Sequence, residues 1–463
     1  MAKERLGRDV VIGLFAMAAG ILVVANDFTA LSVAIPAIEE SFNTDVDTAQ
    51  WVINSYALVF GVAVVTGGRL ADMFGRRRVF LIGAGVFALF SLTGGLAPNV
   101  EVLIASRAIM GVGGALMWPA VLGMTYASVP ASRAGLAGGL IMAVAGIGNA
   151  MGPLLGGGLT DSLGWEWIFF INVPVAALAI VIIIPVVPRD EPAAPNERID
   201  YGGTALLTVG LVALLLALDW GIHRGWTNTS VLSLFGVGLV SLVAFTFYER
   251  RVGETALVPK SVMTNLPFAM TTLMTLLIAS VFFASMVYLP QFMTKQLDFT
   301  AMQSGVGLLP MMLTYALVSF AAGRAYEAFG AKRVVSVGAA FLAVGMWLLS
   351  RVGPETTYAD MVPGLLVLGV GTGVFYTSIV TAGVTALDSS RSSLASAIIY
   401  MANVAGGALG LGLNTSIVAS ASSLYDGIGR AFVVDAVLCV AGMIVAILFI
   451  GGPTRDVEHG PHT

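Results

Sequence analysis

Two side chains of opposite charge stand where ions are costly. Asp27 lies in Ala25-Asn26-Asp27-Phe28-Thr29 and Arg107 in Ser106-Arg107-Ala108-Ile109-Met110-Gly111, each inside a long apolar run. An ionised carboxylate at the centre of a bilayer costs about 2.5–3.5 kcal/mol on insertion scales, so Asp27 must face water, find a partner or take a proton. Counted at 1.5 Å per residue from the nearer ends of their runs, Asp27 is about 12 Å deep and Arg107 about 8 Å, a difference that the long Arg side chain spans. A neighbouring guanidinium favours the carboxylate, and separating the two favours proton uptake. The chemistry offered is therefore proton binding and release coupled to movement. The bland alternatives are an acid that ties two helices together and an Arg that snorkels to the outer surface alone. Asp435, inside another apolar run, is the second candidate for proton transfer, because His223, His459 and His462 all fall outside the runs.

The elements that must position these groups are membrane helices. The chain has 463 residues, of which 57% are apolar and 11% charged, against about 25% charged in a soluble domain. Apolar runs long enough to cross the hydrocarbon layer as helices recur along the chain. They span residues 11–35, 51–70, 79–96, 102–127, 134–159, 168–187, 203–218, 231–247, 266–289, 305–322, 334–349, 361–382, 394–419 and 431–450, which makes 14 predicted spans. The run that starts at Val10 is too long for the apolar region of a signal peptide and is read as a retained first span. Alternate loops on one side carry Arg76, Arg77, Arg78, Arg133, Arg250, Arg251, Lys332 and Arg333 among others, whereas the opposite loops carry only Arg224, Lys295, Arg351 and Arg430. Positive charge marks the cytoplasmic side, so both termini are expected there.

Laid on itself at an offset of 255 residues, the chain shows an internal copy. Gly68, Arg69, Phe74, Gly75, Arg78 and Val79 fall on Gly323, Arg324, Phe329, Gly330, Arg333 and Val334, with Asp72 on Glu327, and Gly152 falls on Gly407. Spans one to six thus repeat as nine to fourteen, with spans seven and eight inserted. Parallel six-span repeats with sites at their interface are a transporter architecture. The expected units are 1–188, an N-terminal six-span half; 189–265, a linker carrying the two extra spans; and 266–463, the C-terminal half with a short tail.

Other features supply moving parts. In the loop Gly68 to Arg78, Gly68 permits close helix approach, Asp72 offers a carboxylate to a neighbouring helix N-terminus, Gly75 permits a left-handed turn, and Arg76, Arg77 and Arg78 are expected to hold the loop in water. This reads as a conformational latch, or as a basic loop that only sets topology; the second copy favours the latch. Span five carries Gly148, Gly152, Pro153, Gly156 and Gly157: a pivot between the halves, or an ordinary small-residue packing face. Pro153 frees a backbone carbonyl there. Met270, Met274, Phe282, Phe283 and Met286 in span nine are candidates for a soft wall around an apolar substrate, although such residues more often face core or lipid.

The sequence also excludes classes. A net charge of −4 with scattered bases gives no attraction to nucleic acid. Cys439, the single cysteine, excludes an internal disulfide and Cys-x-x-Cys chemistry. No GxxxxGK[ST], HExxH or GxSxG is present, and the one dinucleotide-like match, Gly83 to Ala88, lies inside an apolar span. Uphill transport without a nucleotide site requires an ion gradient, so the expected cofactor list is empty apart from the proton as coupling ion.

Together these residues resemble the major facilitator superfamily, specifically its fourteen-span drug:proton antiporter family, over nearly the whole chain. Gly68 to Arg78 is similar to the cytoplasmic-loop signature, Arg107 with Gly111 to the fourth-span signature, and Gly148 to Gly157 to the fifth-span antiporter signature. Asp27-Phe28-Thr29 with Ala34 and Pro36, and Trp165 to Pro174, resemble two marks of the fourteen-span branch. The resemblance implies an all-α fold of two six-helix halves plus two inserted helices, with Asp27 and Arg107 in proton coupling, Gly68 and Asp72 in the latch, and Gly152-Pro153 in the pivot. Three residues depart from the pattern: Met110 replaces Gln, Glu166 replaces Arg, and Asn26 replaces an apolar residue. The expected protein is a bacterial inner-membrane exporter of apolar or amphipathic, cationic or neutral drugs, exchanged for protons, acting as a monomer in lipid. The alternatives are an exporter of a lipid or endogenous metabolite and, from another class, a non-transporting sensor or scaffold, for which the loops are short.

Overall fold

The computed structural model describes residues 7–190 and 199–450. Of the residues named above, His459 and His462 lie outside them, as do Lys3, Arg5, Arg198 and Arg455, which belong to the basic side. Among the described residues there are 14 helices long and apolar enough to cross a membrane. The first six are α1 (Arg8–Val33), α2 (Val46–Phe74), α3 (Arg76–Gly95), α4 (Val100–Ala127), α5 (Ala131–Ser162) and α6 (Trp167–Val186). Then come α7 (Tyr201–Leu218), α8 (Thr229–Val252), α9 (Leu266–Gln296), α10 (Met302–Phe329), α11 (Ala331–Leu349), α12 (Tyr358–Thr385), α13 (Ser389–Ala419) and α14 (Leu424–Phe449).

Local chemistry sets where several begin. The Asp45 carboxylate accepts from Thr48 N at 2.8 Å and Asn99 Oδ1 accepts from Val102 N at 2.9 Å, capping the outer ends of α2 and α4. Gly75 (φ 95°) and its repeat partner Gly330 (φ 80°) sit in the left-handed region, where a side chain is strained, so the chain reverses sharply from α2 into α3 and from α10 into α11.

The duplication is visible in the packing. Within one half, α1 packs on α5 and α6, α3 on α4 and α6, and α2 on α4; the same set recurs as α9 on α13 and α14, α11 on α12 and α14, and α10 on α12. The halves then exchange partners: α2 packs on α13 and α10 on α5. On the pseudo-twofold axis, Tyr126 Oη and Thr381 Oγ1, themselves 255 residues apart, share a hydrogen bond of 3.1 Å. The inserted α7 and α8 pack on each other; α7 also touches α2 and α13, while α8 is mostly exposed, as a lipid-facing helix must be.

The cytoplasmic ends of the halves are pinned together twice. Asp72 accepts from the backbone of Ser393 (3.4 Å) and Leu394 (2.9 Å) at the N-terminus of α13. Its repeat partner Glu327 accepts from Leu136 N (2.9 Å) at the N-terminus of α5. Both use the positive end of a helix to hold an anion. A Cβ on Gly68 would lie 2.6 Å from the Ala397 Cβ and 2.7 Å from the Ser393 carbonyl oxygen, so only glycine lets α2 approach α13 this closely.

One expectation is corrected here. The three arginines of the loop do not all stay in water. Arg78 is exposed and Arg77 half-buried, but Arg76 is buried: its Nε donates to Asp72 (3.1 Å) and its Nη2 to the Ser389 carbonyl of the opposite half (2.6 Å). The reason is Gly75, whose turn starts α3 at Arg76 and aims that side chain back along α2. Asp190, after α6, completes the corner by accepting from the Arg76 and Arg77 amides. Asp388, in the turn before α13, is held below the usual carboxylate range chiefly by hydrogen bonds from Ser390, and remains anionic beside Arg391 and Arg76.

A charge-assisted hydrogen bond contributes about 1.5–3 kcal/mol, and about 1.4 kcal/mol is tenfold in a population. Asp72→Asn should therefore lower the population with closed cytoplasmic ends about tenfold, and Asp72→Asn with Glu327→Gln should lower it further. Spin labels on Arg78→Cys and Arg333→Cys, both exposed in the closed form, report the separation; an unchanged distance distribution in the double variant would rule out the latch.

Candidate functional site

The site is assembled from the inside of the N-terminal half. Arg107, 0% exposed, projects from α4, and its Nη1 donates to Asp27 Oδ2 of α1 at 2.5 Å. Its Nε donates to the Val52 carbonyl of α2 at 2.8 Å, its Cζ lies 4.2 Å from the centre of the Tyr56 ring, and the Phe169 ring is 5.9 Å away. The guanidinium does not snorkel outward, because an anion, a carbonyl and a π face together replace its water. Asp27 is 1% exposed and its second oxygen accepts from Asn172 Nδ2 at 3.2 Å. Asn172 also reaches Ser91 Oγ (3.3 Å), which donates to the Phe169 carbonyl (2.9 Å). Four helices, α1, α3, α4 and α6, thus contribute side chains to one buried polar network, and α2 a carbonyl.

Asn172 and Ser91 were not singled out by the sequence. The available signal for Asn172 was its place in Trp165 to Pro174, where it opens the longer stretch of α6 after a break at Ile171. Ser91 had no signal, since a single Ser in an apolar helix is unremarkable and only packing brings it to Asn172.

The departures noted above have local consequences. Met110 places its Sδ 3.9 Å from Arg107 Nη1, and Arg107 Nη2 has no hydrogen-bond partner among the described residues. The Asn26 Oδ1 is likewise buried without one. A buried donor left unsatisfied costs about 1–3 kcal/mol, so this pair is held less completely than its geometry allows.

Of the span-five glycines singled out above, Gly148, Gly152 and Gly156 face α1 rather than the opposite half. A Cβ on Gly148 would lie 2.9 Å from the Ala25 Cβ, one on Gly152 2.7 Å from the Thr29 Cβ, and one on Gly156 3.0 Å from the Ala30 Cα. Positions four apart lie on one helix face, and that face is against the turn bearing Asp27. Gly157 meets nothing within 4 Å. Contact across the halves comes instead from Pro153, which a Cβ on Gly305 of α10 would approach to 2.8 Å, and from Gly146 against Tyr315. The carbonyl that Pro153 frees, that of Asn149, accepts from Thr29 Oγ1 at 3.2 Å, so α5 is tied to α1 two residues from Asp27.

From Tyr56 a seam of rings leads into the C-terminal half. Tyr56 and Phe60 are 5.8 Å apart, Phe60 and Tyr400 of α13 5.2 Å, and Trp118 and Tyr400 4.8 Å. Of the five side chains considered for a substrate wall, Met274 is buried in the core, while Met270, Phe282, Phe283 and Met286 are half-buried. Phe282 packs on Phe283 (5.9 Å) and on Tyr376 (6.1 Å), whose hydroxyl donates to Asn403 (3.0 Å). Phe283 also lines an apolar cavity of about 250 Å³ between α2, α7 and α13, with Trp51, Asn54, Leu215, Leu218 and Leu411.

The fold and this site define a membrane transporter. The family model described as Major Facilitator Superfamily matches residues 17–312 and 271–462. A puromycin resistance protein of Streptomyces alboniger is 34% identical over 95% of this chain and 88% of its own. A cephamycin export protein of Amycolatopsis lactamdurans is 34% identical over 90% and 88%, and the multidrug resistance protein Stp of Mycobacterium tuberculosis 31% identical over 90% and 77%. Among solved structures, the human organic anion transporter MFSD10 superposes with a TM-score of 0.69 at 16% identity, covering 94% of this chain and 99% of that one. The proton:xylose symporter XylE superposes with 0.68 at 14% identity, covering 96% and 97%. The chain belongs to the major facilitator superfamily and is a multi-pass protein of the bacterial cytoplasmic membrane.

Removing one partner of a buried ion pair costs about 3–5 kcal/mol because the other charge is left uncompensated. Arg107→Met should therefore lower thermal stability markedly, whereas Asp27→Asn combined with Arg107→Met should recover part of the loss. Thermal unfolding of the lipid-reconstituted variants gives the comparison; additive losses in the double variant would mean that the pair is not coupled.

Proposed function

We propose that the protein exports apolar or amphipathic drugs, cationic or neutral, in exchange for protons, by alternating access and as a monomer. The observation that carries this reading is the dry Asp27–Arg107 pair at the junction of α1, α2, α4 and α6. A proton reaching Asp27 from outside neutralises the carboxylate and removes the charge that holds Arg107. The guanidinium then retains the Val52 carbonyl and the Tyr56 ring, and the network that clamps α1 to α4 and α6 loosens. Because Thr29 links α1 to α5, and Tyr56 leads through Phe60 to Tyr400, that loosening reaches both contacts between the halves. The latch carboxylates Asp72 and Glu327 hold the cytoplasmic side shut meanwhile. When the halves rock the other way the proton leaves to the cytoplasm, the ion pair re-forms, and the cycle repeats.

The substrate class rests on two supports. The candidate walls, Phe282, Phe283, Met286, Tyr376 and the Phe60–Tyr400–Trp118 seam, are aromatic and polarisable, suited to flat apolar compounds and to cations over ring faces. The relatives named for resistance to or export of antibiotics point the same way. Export of a compound the cell itself makes is the second reading, favoured by relatives named for export of cephamycin and of tetracenomycin C.

In everted vesicles energised by respiration, ethidium should drive proton release through the wild-type protein. Asp27→Asn should reduce that flux to the level of vesicles lacking the protein while leaving ethidium binding measurable. Full-rate exchange in the variant would overturn the role of Asp27.

A further inference from the structure

The C-terminal half, like the N-terminal one, contains a carboxylate buried at mid-membrane depth, and it is solved differently from Asp27. Asp435, at mid-length of α14 and about 16 Å from its outer end at 1.5 Å per residue, is 1% exposed. Oδ1 accepts from Ser280 Oγ of α9 at 2.7 Å and Oδ2 from Asn414 Nδ2 of α13 at 2.9 Å. Neither donor is charged. The titratable groups facing it are Tyr288 of α9 and Cys439 one turn along α14, and neither supplies a positive charge. The buried residues of α11, the third helix packed on α14, are Val, Gly, Ala, Leu and Met. Arg430, the base on α14 itself, is at the outer end and paired with Asp426.

A second observation bears on what the site takes. Asn414 is 0% exposed and its Oδ1, the acceptor end of the amide that contacts Asp435, has no hydrogen-bond partner among the described residues. Asn presents a donor or an acceptor depending on the rotation of its amide, and a Ser hydroxyl turns freely. The ionised carboxylate receives two donors as drawn. The neutral acid, carrying its proton on Oδ2, donates to the turned Asn414 Oδ1 and still accepts from Ser280. The carboxyl keeps both of its partners in either protonation state without moving a helix, and the neutral state relieves an uncompensated charge in hydrocarbon.

We propose that Asp435, with Ser280 and Asn414, is a second proton-binding site, so that each half of the transporter carries one. The site has no counterpart at the offset positions of the first half, where residues 435, 414 and 280 fall on Ile180, Leu159 and Ala25. It is therefore not a relic of the Asp27 site. It takes up a proton without breaking an ion pair, whereas Asp27 must release Arg107 to do so. Beside it, Thr415 Oγ1 and Tyr288 Oη share a hydrogen bond of 2.8 Å, with Tyr288 also within electrostatic reach of Asp435, which gives a hydroxyl route toward the site. The inference extends the proton-coupled reading above.

The test is infrared difference spectroscopy of the full-length protein in lipid as pH is lowered from mildly alkaline to mildly acidic. The wild type should show the carbonyl stretch of a buried carboxylic acid that Asp435→Asn removes and Asp27→Asn retains. Ser280→Ala and Asn414→Leu, which keep the carboxyl, should shift its frequency, so the result does not depend on the folding of Asp435→Asn. In exchange assays with ethidium, Asp435→Asn should halve the protons moved per ethidium. An Asp435→Asn spectrum that superposes on the wild type, or a signal that follows sodium concentration rather than pH, overturns the proposal. Loss of ethidium exchange in the wild-type protein with the Asp435 signal intact would instead overturn the export reading alone.

Discussion

The organisation of the N-terminal half follows from one constraint: a carboxylate in hydrocarbon must be accompanied. Asp27 has Arg107 on one oxygen and Asn172 on the other, and Arg107 in turn has the Val52 carbonyl and the Tyr56 face. The partners come from three other helices, so compensating one charge fixes the relative positions of α1, α2, α4 and α6. The proposed proton coupling rests on the same fact. An apolar core of this size would be equally packed whatever the pH, whereas a core organised by one ionised group changes its preferred geometry when that group is neutralised.

Small residues join this network to the rest of the molecule. Gly148, Gly152 and Gly156 bring α5 against α1 at the turn of Asp27, and Thr29 occupies the carbonyl that Pro153 leaves open. The other side of α5 meets α10 of the opposite half. α5 therefore lies between the charged network and the interface, which is a more specific position than a pivot between two halves. At the cytoplasmic ends the carboxylates Asp72 and Glu327 meet helix N-termini in trans, each half clasping the other with the same device. Duplication explains the symmetry of these two contacts, while Asp27 and Asp435 do not share it: Asp27 is met by a base, Asp435 by neutral donors.

Much of the fold was legible in the sequence because bilayer thickness is a strict ruler and charge asymmetry an independent check. The fourteen apolar runs all reappear as helices, and the offset of 255 residues reappears as paired packing and as the Tyr126–Thr381 contact. The Asp27–Arg107 meeting could be anticipated because lipid leaves two lone charges at similar depth few other options. The Asp72 contact with a helix N-terminus could be anticipated because the motif occurs twice. Arg76 shows where such reasoning stops: its type and loop position point to water, and only the turn at Gly75 directs it inward.

The sequence by itself determined the number of spans, the side of the membrane on which the charges lie, the repeat, and which residues were too costly to bury without company. Those are properties of composition and period, which local chemistry dictates. Only the tertiary structure decided that Asn172 and Ser91 complete the Asp27 network, that Gly148, Gly152 and Gly156 serve α1, that α7 stands against α2 and α13, and that Asp435 has no cation beside it among the described residues. Residues far apart in the chain acquire partners through the rotation and tilt of whole helices, and nothing in a one-dimensional apolar pattern specifies which face of a lipid-immersed helix meets which neighbour.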